Sequence, residues 1–128
     1  MLEVKAWIVA KWKANAALVA AVGSTDRIEY APSVTYPITS FPRLTYIESN
    51  QPSAANYDNA PTAVESTIEC HVWTADGAST TTIAEALDVV MIANLFNVDF
   101  SEDFIEPGTR VNHRVLRYRR MLTALDLV

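Results

Sequence analysis

Cysteine, glycine and histidine are scarce in this chain of 128 residues, and each scarcity excludes a class of site. The single cysteine, Cys70, rules out an internal disulfide and a multi-cysteine metal site, and it fits a reducing compartment. Three glycines are too few and too dispersed for a P-loop or a dinucleotide fingerprint. No HExxH, CxxC, EF-hand or Gly-x-Ser-x-Gly pattern occurs either. We therefore expect no catalytic residues, no cofactor and no metal.

Long apolar runs and an excess of positive charge are also missing. No apolar stretch approaches the ~20 residues that cross a bilayer, and charged residues interrupt the apolar N-terminal segment, so we expect no membrane span and no export signal. Fifteen acidic and ten basic residues give a net charge of −5, which is unlike a free-standing DNA-binding protein. Half of the residues are apolar. The composition predicts one soluble domain over residues 1–128.

The spacing of apolar residues predicts two helices. The first runs from about residue 3 to residue 22, and Gly23 follows it where a left-handed C-terminal cap belongs. The second begins near Thr82, which forms a capping box with Glu85, or at the competing cap Ser79. It ends near Phe96.

Alternating and β-branched segments predict the strands. The predicted segments are short strands at Arg27–Ala31 and Arg43–Glu48, an exposed loop at 49–61, a long strand at 62–74, and two extended C-terminal segments joined by Pro107-Gly108, the last one at 111–122. In the long strand, even-numbered residues share the packed face and odd-numbered residues share the wetter one. The fold class is α+β: a mostly antiparallel sheet of about four strands, two helices on one face, and a C-terminal hairpin.

Cys70 and His71 suggest a nucleophile and its base. Adjacent residues of a strand point to opposite faces, however, so we expect a buried cysteine and a half-exposed histidine instead. His71 shares its face with Glu69. A small α+β enzyme or ligand-binding domain that uses His71, Glu69 and the loop residues is therefore an alternative function.

The distribution of charge is strongly asymmetric. Seven acidic residues and no basic residue lie between Asp76 and Glu106, and five arginines follow directly. Three interpretations are open: arginines that pair within the sheet with Glu65 and Glu69, a basic strip that contacts the acidic segment of a neighbouring subunit, or a DNA groove. The candidate subunit-interface residues are Arg110, Arg114, Arg117, Arg119, Arg120, Asp99, Glu102, Asp103 and Glu106. Strand alternation places Arg114 and Arg120 on one face and Arg117 and Arg119 on the other.

The order of these elements is that of a known family. A helix ending in Val-Gly precedes an Arg-Ile-Glu-Tyr strand, a Pro-flanked strand FPRLTYIES, a polar loop, a long strand IECHVWTAD, a Ser/Thr-rich helix start and a C-terminal hairpin. Over about residues 3–122 the chain resembles the tail-completion proteins of long-tailed bacteriophages and prophages, which are also called tail terminator or head-to-tail joining proteins. The resemblance implies a sheet with helices on one face. It also implies a structural, non-enzymatic protein.

The resemblance further implies an assembly. Such a protein forms a homo-oligomeric ring, typically of six subunits, which caps the tail tube, binds the major tail-tube protein and the head–tail connector proteins, and leaves a channel for DNA without binding it specifically. Its location is the virion tail or neck, and the bacterial cytoplasm during assembly, with no membrane partner. We expect the 49–61 loop and the segment 97–110 to project toward neighbours. The candidate loop residues are Gln51, Asn56, Tyr57, Asp58 and Asn59. A head-side adaptor or stopper ring is the alternative within the same class.

Overall fold

The computed structural model describes residues 4–34, 38, 40–52, 56–57, 60–61, 63–105, 111–123 and 126. Within these residues the α-helices are α1 (Val4–Ala14), α2 (Ala16–Val22) and α3 (Gly77–Ala93). The strands are β1 (Ile28–Tyr30), β2 (Arg43–Pro52), β3 (Asn56–Tyr57), β4 (Ala60–Pro61), β5 (Ala63–Thr74), β6 (Asn97–Ile105) and β7 (Asn112–Thr123). None of the helices in this part of the chain has the length and apolar character that crossing a membrane requires.

Five of the strands form one sheet in the order β1-β2-β5-β7-β6. β1 and β2 run parallel, whereas the other neighbouring strands of this sheet are antiparallel. β3 and β4 form a separate two-stranded ladder. The predicted α+β class with a mostly antiparallel sheet is confirmed. The sheet has five strands instead of about four, because the C-terminal hairpin β6–β7 is part of it.

The predicted N-terminal helix is two helices, which meet at Asn15. Asn15 has an extended backbone (φ −88°, ψ 111°), and its side-chain oxygen accepts a hydrogen bond from the Leu18 N–H at 2.9 Å. An asparagine that caps the next turn in this way ends the first helix, despite the surrounding alanines. The predicted cap at Gly23 is confirmed, with φ 112° and an N–H that donates to the Val19 carbonyl at 2.8 Å.

Helix α3 begins earlier than predicted. Asp76 is its N-cap, and a carboxylate oxygen of Asp76 accepts a hydrogen bond from the Ser79 N–H at 2.7 Å. The predicted starts at Thr82 and Ser79 are therefore wrong, because a carboxylate beside the unpaired N–H groups and the positive end of the helix dipole provides the cap. The Ser79 hydrogen bonds lower the pKa of Asp76. The helix ends at Ala93, short of the predicted Phe96.

The predicted loop over 49–61 is wrong for every residue of it that the structure describes, because all of these residues belong to strands. β2 continues to Pro52, which lies opposite Val64 of β5. The ladder of β3 and β4 follows it. The turn-rich composition misled the prediction because β5 is long enough to offer a backbone partner to every residue of β2, and pairing of this kind overrides weak β propensity.

The helices cover one face of the sheet, and the core lies between them. The even-numbered residues of β5 from Val64 to Thr74 are buried, as predicted. Trp12 of α1 is fully buried, and its indole N–H donates to the Met91 sulfur of α3 at 3.2 Å. The same ring packs edge-on against Tyr46 of β2, with ring centroids 5.4 Å apart. Two helices and the sheet therefore meet around one aromatic side chain.

The two faces of β7 give a test of this arrangement. Leu116 lies on the helix-covered face and is 2% exposed, whereas Met121 lies on the opposite face and is 51% exposed. We expect Leu116→Ala to lower the free energy of unfolding by about 2–5 kcal/mol because it opens a cavity in the core. Met121→Ala should change it by less than about 0.5 kcal/mol. Urea denaturation measures both values, and equal losses would contradict the assignment of the faces.

Candidate functional site: the outer face of the sheet

The sheet face turned away from the helices carries Glu65, Glu69, His71, Arg117 and Arg119, which the sequence analysis singles out. We call it the outer face. Strand alternation and register assign its central residues. They are Glu65, Thr67, Glu69, His71 and Trp73 of β5, His113, Val115, Arg117, Arg119 and Met121 of β7, and Phe100, Glu102 and Phe104 of β6.

Two arginines of the outer face form ion pairs within the chain. Arg119 lies 3.2 Å from Glu65 and 3.3 Å from Asp99, and Arg117 lies 3.9 Å from Glu69. The interpretation in which arginines pair with Glu65 and Glu69 across the sheet is therefore confirmed for these two. The Arg117 and Arg119 side chains are 38% and 51% exposed, so each pair contributes only about 0.2–1 kcal/mol.

The other two arginines of β7 lie on the helix-covered face, as the alternation predicts. Arg114 contacts both carboxylate oxygens of Asp103, at 2.6 and 2.8 Å. This double hydrogen bond lowers the pKa of Asp103 and raises the pKa of Arg114. Arg120 donates to the Asn94 carbonyl at 2.7 Å and lies 2.9 Å from Asp126. The acidic and basic segments are thus neighbouring strands of one hairpin, and they pair within the subunit.

The remaining candidate interface and loop residues either belong to strands or lie outside the part of the chain that the structure describes. Glu102 is exposed on β6, and Arg110 and Glu106 lie outside the described residues. Gln51 belongs to β2, and Asn56 and Tyr57 form β3. Asp58 and Asn59 lie outside the described residues. Their roles in an interface or channel stay predictions.

A cluster of rings occupies the end of the outer face nearest α3. We call Glu69, His71, Trp73 and His113 the imidazole cluster. The Nδ1 atom of His71 lies 2.6 Å from Nε2 of His113, and Nε2 of His71 lies 3.0 Å from a Glu69 oxygen. Trp73 stacks on His113 with ring centroids 3.8 Å apart and donates its N–H to the Thr45 hydroxyl at 3.1 Å.

These contacts fix the proton positions in the neutral cluster. The Glu69 carboxylate only accepts, so Nε2 of His71 carries the hydrogen. The Nδ1 atom of His71 then accepts a hydrogen bond from Nε2–H of His113. Burial lowers the pKa of His71, the neighbouring His113 lowers it further, and Glu69 opposes the shift. The surroundings of His71 therefore favour its neutral form.

Cys70 takes no part in this cluster. The thiol is fully buried on the helix-covered face, and burial raises its pKa. The prediction of a buried cysteine beside a half-exposed histidine is confirmed. The row of Glu69, His71 and His113 can hold or shift a proton, but it has no nucleophile. Among the described residues, no group of three or more His, Cys, Asp or Glu side chains could hold a metal ion.

Sequence reasoning paired His71 with Glu69 but did not predict that His113 of the last strand lies beside them. The two histidines are 42 residues apart in the chain and meet only because β5 and β7 are neighbours in one register. That register places His113 opposite Trp73, one diagonal step from His71. The sequence does contain a signal for this contact. When the predicted strands 62–74 and 111–122 are aligned end to end in antiparallel order, the two histidines come close together.

The pKa of His71 has a consequence for stability. Its folded pKa lies below the reference value of 6.5, so between the two values the unfolded chain binds more protons. The contribution of His71 to stability is complete above about pH 6.5 and is lost as the pH falls toward the folded pKa. We expect the free energy of unfolding of the native chain to fall more steeply than that of His71→Gln between about pH 7 and about pH 5. Urea denaturation across this range measures both slopes, and identical slopes would contradict the assignment.

Comparison with known proteins gives a match in fold. No protein-family profile matches the sequence, and no curated protein sequence matches it. Among solved structures, the chain is similar to a chain of the virion of a native gene transfer agent (GTA) particle, with a TM-score of 0.65 and 14% sequence identity. The match covers 91% of this chain and 92% of that chain. The two chains therefore share one fold over nearly their whole lengths.

Proposed function

We propose that this protein is a structural virion component that caps a phage or prophage tail tube and joins it to the head connector as a ring. The observation that carries the proposal is the full-length fold match to a chain of a gene transfer agent virion. The resemblance of the element order to tail-completion proteins is a second, sequence-based support. The same order now corresponds to two helices, three sheet strands, a third helix and a hairpin.

Ring formation needs two unlike surfaces on each subunit, because head-to-tail contacts are heterologous. The chain offers two candidates for contact with a second copy. β6 is the edge strand of the sheet, and its Phe104 and Ile105 side chains are 42% and 63% exposed. The C-terminal end of α3 and the turn after it expose Val89, Ile92 and Leu95, each at least 60%. Exposed apolar patches of this kind are typical of contact surfaces.

The arginines of the outer face can serve a neighbour in spite of their internal partners. Exposed ion pairs contribute little, so exchanging Glu65 or Glu69 for a carboxylate of another copy costs little. Arginine is also the charged residue most enriched at interfaces. Charged pairs of this kind set the orientation of subunits more than their affinity.

The charge balance suits a conduit for DNA. A net charge of −5 per chain is multiplied in a ring. Binding to the phosphate backbone depends on its neutralisation by lysine and arginine, and paired arginines are weak partners for it. We therefore expect DNA to pass without specific binding.

Assembly is the direct test of the proposed function. We expect the purified chain to form rings with a central channel when it is mixed with tail tubes. Light scattering measures the mass, and negative-stain microscopy shows the rings at the ends of the tubes. A chain that stays unassembled when it is offered both tail tubes and filled capsids would refute the proposal. Binding to capsid connectors alone would assign it to the head-side adaptor or stopper ring.

Charge reversal tests the role of the outer-face arginines. We expect Arg117→Glu with Arg119→Glu to raise the dissociation constant of the ring by about tenfold, because two contacts of about 0.5–1 kcal/mol each become repulsive. The matched control is Glu65→Gln with Glu69→Gln, which breaks the pairs with Glu65 and Glu69 but keeps both arginines and the pair of Arg119 with Asp99. This control should assemble normally in light scattering. An unchanged mass in the arginine variant, or equal losses in both variants, would contradict an interface role.

A further inference from the structure

We propose that His71 and His113 form a binding site for a divalent late transition-metal ion, with Cu(II) bound most tightly. One nitrogen of each imidazole binds the ion, and water fills the remaining positions. This site is independent of the proposed role in a virion. It also differs from the sequence-based expectation that the chain has no metal.

The two ligand atoms already face each other. The Nδ1 atom of His71 and Nε2 of His113 are 2.6 Å apart and share one hydrogen. A metal–nitrogen bond of 2.0–2.1 Å separates two cis ligands by about 2.9 Å at a right angle and by about 3.3 Å at a tetrahedral angle. The ion therefore takes the place of the shared hydrogen when the rings separate by a few tenths of an ångström, and the hydrogen of His113 moves from Nε2 to Nδ1, so that both rings stay neutral ligands. A right angle at the metal requires the smaller increase in the distance between the two nitrogen atoms. The site therefore favours the tetragonal geometry that is typical of Cu(II) and Ni(II).

Glu69 prepares His71 for this role. The carboxylate accepts the Nε2 hydrogen at 3.0 Å, so the lone pair of the neutral ring is on Nδ1, the atom that faces His113. Metal-binding histidines nearly always donate their second nitrogen to such an acceptor, which fixes the tautomer and raises the basicity of the ligand. Glu69 is thus a positioning residue.

The sheet and the stacked indole hold the second ring. His113 is paired in register with Trp73 across β5 and β7, and the two rings lie parallel within 11°. Both histidines belong to twelve-residue strands in the interior of the sheet order. Ligands on neighbouring strands need little ordering on binding, and this favours affinity.

The composition makes the site easy to detect. The chain has two histidines in total, and both belong to this pair. Its one cysteine is fully buried on the other face of the sheet. A metal spectrum with two imidazole nitrogens therefore has one source in the untagged protein.

Titration of the untagged protein with Cu(II), Ni(II), Zn(II) and Mg(II) tests the proposal. We expect one transition-metal ion per chain by calorimetry, tightest for Cu(II), and no binding of Mg(II). Electron paramagnetic resonance of the Cu(II) form should show two nitrogen ligands. His71→Gln and His113→Gln should each leave one nitrogen, and the double variant gives the background of the remaining chain.

A matched pair of glutamate variants tests the positioning role. Glu69→Gln should weaken binding by about 10–100-fold, because the amide no longer fixes the tautomer. Glu65→Gln changes a glutamate on the same face of the same strand and should leave the affinity unchanged. Equal affinities in these two variants would refute the role of Glu69.

Two results would overturn the metal site. One is a Cu(II) spectrum that is the same in the native chain and in the double histidine variant. If the histidine variants do not fold, as judged by circular dichroism, the native protein alone decides. In that case one equivalent of Zn(II) should shift the ¹⁵N resonances of both imidazoles together. The second result that would overturn the site is that these resonances stay unchanged.

Discussion

The antiparallel register of β5 on β7 is the constraint on which the rest of the structure depends. It pairs twelve residues of one strand with twelve of the other, from Ala63 opposite Thr123 to Thr74 opposite Asn112. A slip by one residue turns every side chain of a strand to the other face. Such a slip would expose Leu116 and Tyr118 and would bury Arg117 and Arg119. The same register brings His71 to His113, so the core, the ion pairs and the imidazole cluster have one geometric origin.

The outer face combines two kinds of interaction that differ in how easily they can be exchanged. At one end, Trp73 and Val115 are buried. Trp73 stacks on His113, and a 2.6 Å hydrogen bond joins His113 to His71. Toward the other end, the pairs of Arg117 and Arg119 are largely in water and contribute little. The first end therefore has a fixed geometry, whereas the charged side chains of the second end can change partners at little cost.

Local sequence patterns predicted what depends on one strand or one helix alone. The alternation along β5 identified its buried face, and Gly23 marked a helix end, because both signals lie within a few residues. The local patterns failed where the structure of a segment depends on a strand that is distant in the sequence. β2 extends to Pro52 because β5 lies beside it, and His113 meets His71 only through the strand register. At Asn15 and Asp76 the signal was local, but the choice among several capping residues depends on which one the packed helix can use.

The five C-terminal arginines show why charge patterns in a sequence allow opposite interpretations. An acidic segment followed by a basic one suggests contact between subunits when the segments are taken as separate surfaces. In the structure the two segments are neighbouring antiparallel strands, and Asp103 and Arg114 are direct partners in one chain. The internal pairing is compatible with the proposed ring contact, because the pairs of Arg117 and Arg119 lie largely in water and contribute little, so that a carboxylate of a neighbour could replace them at small cost.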